Sequence, residues 1–352
     1  MEILSSSIRI KHSASALVLL GILFVSCNHP EKIDTYLNEK YNDGKLNGNV
    51  LVVKNDTVIY ENSFGYADAA KTIKLNMLHR FNIGSIYKEI PAVAILKLQE
   101  EGNLQLNDHL SMYVTDLPEW AEQITIKSLL QYSSGLPKMK FDEHFSNGIT
   151  VTEEILMNDL RNVRELQFKP GTNYLYTNYS PMLLSKIVEH ITKQDFQSYA
   201  QNHLFAPYGI NHIKVNSQYP YLDRTSMAIP FDEAFKEDDY TIKVDWVLTG
   251  YTASDLYNWF KHLDSFNIVS RESMKILSQE AIQGDNIQSP LGRSDWENGD
   301  IKLHLHHGSS ASYESLVRHH KQDKIMIILM TNQKQGNVHD IADELYRLAK
   351  KS

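Results

Sequence analysis

The chain has 352 residues, of which 42% are hydrophobic and 22% charged, a composition typical of globular proteins and unlike that of disordered chains. Its formal net charge is −8; without Glu2, Arg9 and Lys11, 33 basic residues face 42 acidic ones, a net charge of about −9. Nucleic acid is not expected as a partner, because phosphate binding requires a basic face.

The first 26 residues predict a secretory signal, in which two basic residues precede an almost uncharged run too short for a comfortable membrane span. Cys27, the only cysteine, follows Phe24-Val25-Ser26 and resembles the lipidation box of bacterial lipoproteins, although Phe24 stands where leucine is usual. We expect lipidated Cys27 to anchor an exported domain in the cell envelope. The alternative is an ordinary secretory signal with an incidental cysteine, and mass spectrometry of the mature N-terminus separates the two.

Residues 48–66 predict a β-hairpin, because two runs rich in β-branched residues flank the turn sequence Lys54-Asn55-Asp56. An apolar stripe that begins at Ser85 then predicts a helix ending at Gly102-Asn103. Pro91 lies inside this helix and predicts a kink about two turns from its start, because proline has no backbone N–H.

Helical patterns dominate the middle of the chain and strand patterns return near its end. The clearest helices are predicted at 126–132, 181–191 and 253–263, the strands at 301–306, 313–319 and 324–331, and a last amphipathic helix at 338–350. Strands at both ends of the sequence imply one sheet built from distant segments. We therefore expect a signal (1–26), an N-terminal segment (27–47), a sheet domain (48–103 with 286–352) and a helical domain (104–285).

Ser85 and Lys88 form the only S-x-x-K pattern in the chain. Positions i and i+3 share one face of a helix, so the lysine amine can reach the serine hydroxyl. Serine becomes a nucleophile when a neighbour takes its proton, and a lysine with a lowered pKa can do this. The alternative for these four residues is a serine helix cap followed by a solvated lysine.

Tyr176-Thr177-Asn178 follows the turn signal Pro170-Gly171-Thr172 and precedes a predicted helix, which places it on a loop. A tyrosine near a lysine can relay its proton, and an asparagine amide can hold Lys88 and bind a substrate carbonyl. Two other segments also fit Y-x-N, Tyr36-Leu37-Asn38 and Tyr60-Glu61-Asn62, but they lie beside the signal and inside the hairpin.

His306-His307-Gly308 ends a predicted strand and precedes a run of small polar residues. A glycine at a strand edge lets the backbone lie beside a substrate, and a strand N–H can complete an oxyanion hole. A metal site formed by His304, His306 and His307 is the competing interpretation. Strand alternation opposes it, because His304 and His306 share one face while His307 points to the other.

These motifs together carry a family resemblance. Residues 81–88 (FNIGSIYK), 99–104 (QEEGNL) and 124–137 (ITIKSLLQYSSGLP) resemble the serine β-lactamase and penicillin-binding-protein superfamily, in particular class C β-lactamases, D-alanyl-D-alanine carboxypeptidases and related esterases. The S-x-x-K, Y-x-N and H-x-G motifs occur in the order of that family, and the resemblance covers about residues 45–345.

The resemblance implies an α+β fold, in which an antiparallel sheet flanked by N- and C-terminal helices packs against an all-helical insertion, with the active site between them. It implies that Ser85 is the acylated nucleophile and that Lys88 and Tyr176 transfer protons. It also implies that Asn178, His306 and Gly308 bind substrate, and that the N–H groups of Ser85 and Ser309 form the oxyanion hole. No cofactor or metal is implied.

Two departures from the family pattern bear on the substrate. Many β-lactamases have K-T-G where this chain has His306-His307-Gly308, and a mostly neutral histidine attracts a substrate carboxylate less than lysine does. The second departure is Ser312, where glycine is common.

We therefore expect a serine acyl hydrolase that acts on a small amide or ester, such as a D-amino-acid peptide, rather than an efficient β-lactamase. A catalytically idle protein that binds cell-wall fragments is the alternative from another functional class. The sequence does not indicate an oligomeric state.

Overall fold

The computed structural model describes residues 28–351, apart from residues 245, 247–248, 282 and 285–286. The predicted signal and the lipidation site Cys27 lie outside the described residues, so both stay predictions. Within the described residues, no helix is both long enough and apolar enough to cross a membrane.

The described chain alternates helices and strands. The helices are α1 (Asn28–Asn42), α2 (Glu89–Glu100), α3 (Ile126–Leu130), α4 (Phe141–Ser146), α5 (Glu153–Arg161), α6 (Tyr179–Thr192), α7 (Phe196–Ala200), α8 (Ala253–Asp264), α9 (Arg271–Leu277) and α10 (Val338–Lys350). The strands are β1 (Gly48–Lys54), β2 (Thr57–Phe64), β3 (Phe81–Asn82), β4 (Val151–Thr152), β5 (Lys214–Val215), β6 (Ile242–Lys243), β7 (Thr249–Tyr251), β8 (Arg293–Glu297), β9 (Asp300–Ser310), β10 (Tyr313–His320) and β11 (Ile325–Thr331).

The main sheet has six antiparallel strands in the order β2-β1-β11-β10-β9-β8. Strand β1 from the start of the chain pairs with β11 from its end, with Val52 opposite Ile327. The predicted α+β fold, with one antiparallel sheet built from both ends of the sequence, is confirmed.

Both faces of this sheet are buried, which explains why its central strands read as nearly continuous apolar runs. In β11 the side chains of Met326, Ile328 and Met330 enter one hydrophobic core, and those of Ile325, Ile327 and Leu329 enter the other. Helices α1 and α10 cover the second core, while α8 packs against β1 and β11 on the opposite face.

The hairpin of β1 and β2 is confirmed, and its turn residues Asn55 and Asp56 both have positive φ angles, which these residue types tolerate. The helix predicted from Ser85 is divided instead into a 3₁₀ turn (Gly84–Lys88) and α2. Pro91 is the third residue of α2, where a backbone N–H has no partner within the helix. The proline therefore lies at the start of a helix rather than two turns into one.

The segment 104–285 differs from an all-helical insertion. It contains four short strands, β4 to β7, and α8 lies on the main sheet although the predicted boundary assigned it to the helical domain. Strand β8 was not predicted, because its sequence, Arg-Ser-Asp-Trp-Glu, has no apolar alternation.

We predict that Leu345→Ala in α10 destabilises the protein by about 2–5 kcal/mol, because it leaves a cavity in the core beneath α1 and α10. Leu345 is 0% exposed, whereas Leu222 is 83% exposed, so Leu222→Ala is the matched control and should change stability by less than about 0.5 kcal/mol. Urea unfolding of both variants measures the difference, and equal midpoints would contradict the packing described for α10.

Candidate active site

The turn that follows β3 presents Ser85 to solvent. Pairing of Asn82 with Gly250 in β7 fixes β3, and Asn82 Oδ1 accepts a hydrogen bond of 2.8 Å from the N–H of Gly84. Gly84 has a φ of +53°, a conformation that favours glycine. Within residues 81–90, Ser85 is the one residue that is not buried.

The hydroxyl of Ser85 meets the two groups predicted to handle its proton. Lys88 Nζ lies 3.0 Å from Ser85 Oγ, and the phenol of Tyr176 donates to the same oxygen at 2.8 Å. The structure thus brings Tyr176, 91 positions away in the sequence, to the pair formed by Ser85 and Lys88. This geometry permits proton exchange between all three groups.

Burial favours the neutral form of the Lys88 amine near physiological pH. Its ammonium lies 4.7 Å from the ring centre of Tyr87 and 4.9 Å from that of Tyr176. Desolvation by this surrounding lowers the pKa of Lys88 to about 7. Burial raises the pKa of Tyr176 to about 12, although its bond to Ser85 opposes the shift. Tyr176 therefore remains a phenol under conditions in which Lys88 can lose its proton.

The S-S-G-L-P segment, residues 133–137, holds the loop that carries Tyr176. Ser133 O accepts a hydrogen bond of 2.8 Å from Gly171 N, and Pro137 O accepts one of 2.7 Å from the hydroxyl of Thr177. The ring of Tyr132 lies 4.8 Å from that of Tyr176. The motif thus fixes the loop on both sides of the tyrosine.

Asn178 lies at the N-terminus of α6 and lines the cleft beside Ser85. Its Oδ1 is buried and accepts no hydrogen bond from the described part of the chain. A buried acceptor without a donor is costly, so this oxygen is an unsatisfied polar group beside the cleft, and the substrate contact of Asn178 stays a prediction.

Strand β9 approaches the Ser85 turn so closely that no side chain fits between them. A Cβ on Gly308 would lie 1.9 Å from Ile83 O and 2.9 Å from Ser85 N, and a Cβ on Gly84 would lie 2.3 Å from Ser309 N. Glycine at position 308 therefore allows the two backbones to approach each other, and it has no side chain that could contact a substrate. Ser85 N and Ser309 N thus both lie at this backbone contact, and their role as an oxyanion hole stays a prediction.

The cleft in front of Ser85 has a volume of about 430 Å³. One wall is aromatic and apolar, formed by Phe141 and Phe145 of α4 with Tyr240 and Ile242, and the rings of Phe145 and Tyr240 lie 5.1 Å apart. Asp142 is the acidic residue among the lining side chains and Lys88 the basic one. The sequence does not predict this wall, because its residues come from separate segments and lack a shared motif.

The structure corrects the predicted role of His306 as a substrate contact. Its ring is buried behind the cleft, where Nδ1 lies 2.5 Å from Glu89 Oε1, and it is absent from the cleft lining. His304 is buried on the same side of β9, whereas His307 lies on the other face, 3.0 Å from Glu314 Oε1. The predicted alternation of the three histidines is confirmed. Among the described residues, no cluster of histidine, cysteine and acidic side chains is arranged to hold a metal ion.

Two polar contacts shape the end of β9. Ser312 replaces the glycine usual in the turn, and its N–H and hydroxyl bond the carboxylate of Asp238 at 2.9 and 2.6 Å. Lys334, an exposed residue, extends its ammonium to within 2.7 Å of Ser309 Oγ. The departure at Ser312 thus ties the β9–β10 turn to the segment that supplies Tyr240.

The family profile described as Beta-lactamase matches residues 35–351. The chain belongs to the Beta-lactamase family. Protein flp of Staphylococcus aureus (strain MW2) is 26% identical over 352 residues, an alignment that covers 90% of this chain and 65% of flp. This chain therefore spans about two thirds of the length of that relative.

Two solved structures share the fold of this chain. A penicillin binding protein from Bacillus halodurans has a TM-score of 0.76 at 22% identity, covering 91% of this chain and 99% of that one. A D-amino acid amidase from Ochrobactrum anthropi SV3 has a TM-score of 0.73 at 18% identity, covering 91% of this chain and 98% of that one. At these identities the likeness concerns the fold alone.

We predict that Gly308→Ala lowers kcat by about 10²–10³, the usual cost of losing one oxyanion-hole donor, because the added Cβ must push β9 away from the Ser85 turn. Gly102→Ala is the control: a Cβ there meets nothing within 4 Å, so only backbone strain at its positive φ is added. Steady-state kinetics of both variants test this. Full activity in Gly308→Ala would show that the two backbones need not touch.

Proposed function

We propose that this protein is a serine acyl hydrolase that forms an acyl-Ser85 intermediate from an amide or ester. The observation that carries the proposal is the shared contact of Ser85 Oγ with Lys88 Nζ at 3.0 Å and with Tyr176 Oη at 2.8 Å. A serine hydroxyl between a desolvated amine and a phenol can both lose a proton and pass one on.

The proposed acylation starts with neutral Lys88. Its amine takes the proton of Ser85 as Oγ bonds to the substrate carbonyl carbon, and the oxyanion accepts from the N–H groups of Ser85 and Ser309. The carbon–leaving group bond then breaks. Tyr176 gives its proton to the leaving group and regains one from the ammonium of Lys88, which restores the neutral amine.

Hydrolysis of the ester formed at Ser85 follows the same route in reverse. A water molecule takes the place of the leaving group, and its oxygen bonds to the carbonyl carbon. Its proton passes to Tyr176 as the phenol gives its own proton to the neutral amine of Lys88. Ser85 Oγ leaves and recovers its proton. The products are a carboxylic acid and the free enzyme, so no external oxidant, reductant or cofactor enters the balance.

The cleft favours an apolar substrate over an anionic one. Its wall is aromatic, and the histidine that replaces the usual lysine of K-T-G is held by Glu89 behind the cleft. We propose an amide or ester of an apolar acyl group, with D-amino-acid amides as the first candidates. A panel of D-amino-acid amides, p-nitrophenyl esters, D-Ala-D-Ala peptides and nitrocefin tests the substrate class, and fastest turnover of nitrocefin would reject it.

We predict that Ser85→Ala abolishes both turnover and labelling by a fluorophosphonate, because no other hydroxyl occupies the shared position between Lys88 and Tyr176 in the described cleft. Ser310→Ala, one step beyond the oxyanion-hole residue in the lining, is the control and should still be labelled. In-gel fluorescence compares them. Equal labelling of wild type and Ser85→Ala would show that the probe reacts at another residue and would reject Ser85 as the nucleophile, whereas an unlabelled wild type would support an idle binding protein.

We predict that kcat/KM rises with pH through an apparent pKa of about 7, because only the neutral amine of Lys88 can accept the serine proton. At pH 6 the neutral fraction is about one tenth, so kcat/KM should be about tenfold below its plateau. A pH series with a neutral ester measures the acidic limb. A flat profile between pH 5 and 9 would exclude Lys88 as the titrating base.

We predict that Phe145→Ala lowers the ratio of kcat/KM for D-phenylalanine amide to that for D-alanine amide by about tenfold or more, since it removes part of the aromatic wall. Phe235→Ala is the matched control: its ring stacks on Phe231, it is absent from the cleft lining, and the ratio should stay unchanged. An unchanged ratio in Phe145→Ala would mean that the acyl group binds elsewhere.

A further inference from the structure

Glu89, the residue after Lys88, carries a carboxylate in the interior of the protein. It is 0% exposed and lies among apolar residues of α2. Its Oε2 accepts from Trp259 Nε1 at 2.6 Å, and its Oε1 lies 2.5 Å from His306 Nδ1. A buried carboxylate is costly unless it is fully bonded, so these contacts are strongly favoured.

A second buried carboxylate completes a row of alternating charges. Asp264 of α8 is also 0% exposed and lies 2.7 Å from His304 Nδ1 and 2.6 Å from His319 Nδ1. Burial lowers the pKa of His304, but the charges of Asp264 and Glu89 outweigh it and raise the pKa to about 10. His304 is therefore an imidazolium that compensates the two acids.

Glu89 differs from Asp264 in what it connects. Glu89 lies at the start of α2, directly after the turn that holds Ser85 and Lys88, and its partner His306 lies two residues before Gly308 in β9. One carboxylate thus joins the nucleophile turn to the strand that supplies the second oxyanion-hole N–H. Through Trp259 it also bonds α8.

The closest approach of these two segments is made by backbone and not by side chains. Gly84 and Gly308 meet as bare backbone, so neither glycine offers a side chain that could interlock with the other segment. On this face of β9, the bond from His306 to Glu89 is the polar side-chain attachment closest in sequence to Gly308.

We propose that Glu89 is a positioning residue: its carboxylate holds β9 against the Ser85 turn through His306 and so fixes the separation of the Ser85 and Ser309 N–H groups. This inference rests on the proposed function, because the separation of the two N–H groups affects catalysis only if they bind an oxyanion. Glu89 acts on geometry and touches no substrate.

Glu89→Gln and Asp264→Asn form a matched pair, since each turns a fully buried carboxylate into an amide beside His304. Glu89→Gln is expected to lower kcat by about 10²–10³ with KM within about twofold, because the oxyanion hole acts in the transition state. Asp264→Asn, whose carboxylate bonds no residue of α2 or of 306–310, is expected to keep kcat within about threefold of wild type.

Hydrogen exchange gives a measurement that does not need turnover. The backbone amides of residues 306–310 are expected to exchange faster in Glu89→Gln and at the wild-type rate in Asp264→Asn, because Asp264 contacts His304 but no residue of 306–310. Equal kcat losses or equal exchange in the two variants would overturn the inference. If the wild type hydrolyses no member of the substrate panel, the proposed function fails, and exchange alone then decides whether Glu89 holds β9.

A second pair of variants serves if Glu89→Gln does not fold. His306→Leu removes the donor to Glu89, while His306→Asn keeps an amide N–H at the position of Nδ1. His306→Leu is expected to lose kcat by a factor similar to that of Glu89→Gln, and His306→Asn by a clearly smaller one. Equal losses in the two His306 variants would also overturn the inference.

Discussion

The candidate active site depends on a contact between two stretches of bare backbone. Gly308 of β9 lies against Ile83 and Ser85, and Gly84 lies against Ser309. Strand pairing on both sides holds this contact, since β9 pairs with β10 up to Ser310 and β3 pairs with β7 behind Ser85. The chemistry of the site therefore depends on elements from the sheet and from the middle of the chain at once.

Two buried basic side chains near this contact have pKa values shifted in opposite directions. Lys88 is buried against aromatic rings, and desolvation favours its neutral form. His304 is equally buried but lies between Asp264 and Glu89, and their charges keep it protonated. The difference lies in the partners and not in the depth, since an opposite charge compensates desolvation and an aromatic ring does so only weakly.

Local patterns in the sequence predicted the first part of the site, because Ser85 and Lys88 are close in the chain. The hairpin, the last three strands and the helices at 126, 181 and 253 were predictable for the same reason. Nonlocal contacts were not: alternation gave the face of His306, but its partner Glu89 lies 217 positions away. A charged residue inside the apolar stripe of α2 was the available signal that a buried partner existed.

The aromatic wall and strand β8 escaped prediction for related reasons. Phe145 and Tyr240 meet in one wall of the cleft but come from segments that share no periodicity, and β8 is polar apart from Trp296. Helix α8 was predicted from its amphipathic pattern, yet that pattern does not say which layer its apolar face will cover.

The order of strands in the sheet also has a consequence for synthesis. Ser85 and Lys88 are made before β9 and β11, and β1 has no partner on its inner side until β11 arrives. A nascent chain thus carries the serine and the lysine before the strand that lies beside them has been made. The candidate site can assemble only once β9 and β11 have followed, so the topology itself sets the order in which its parts meet.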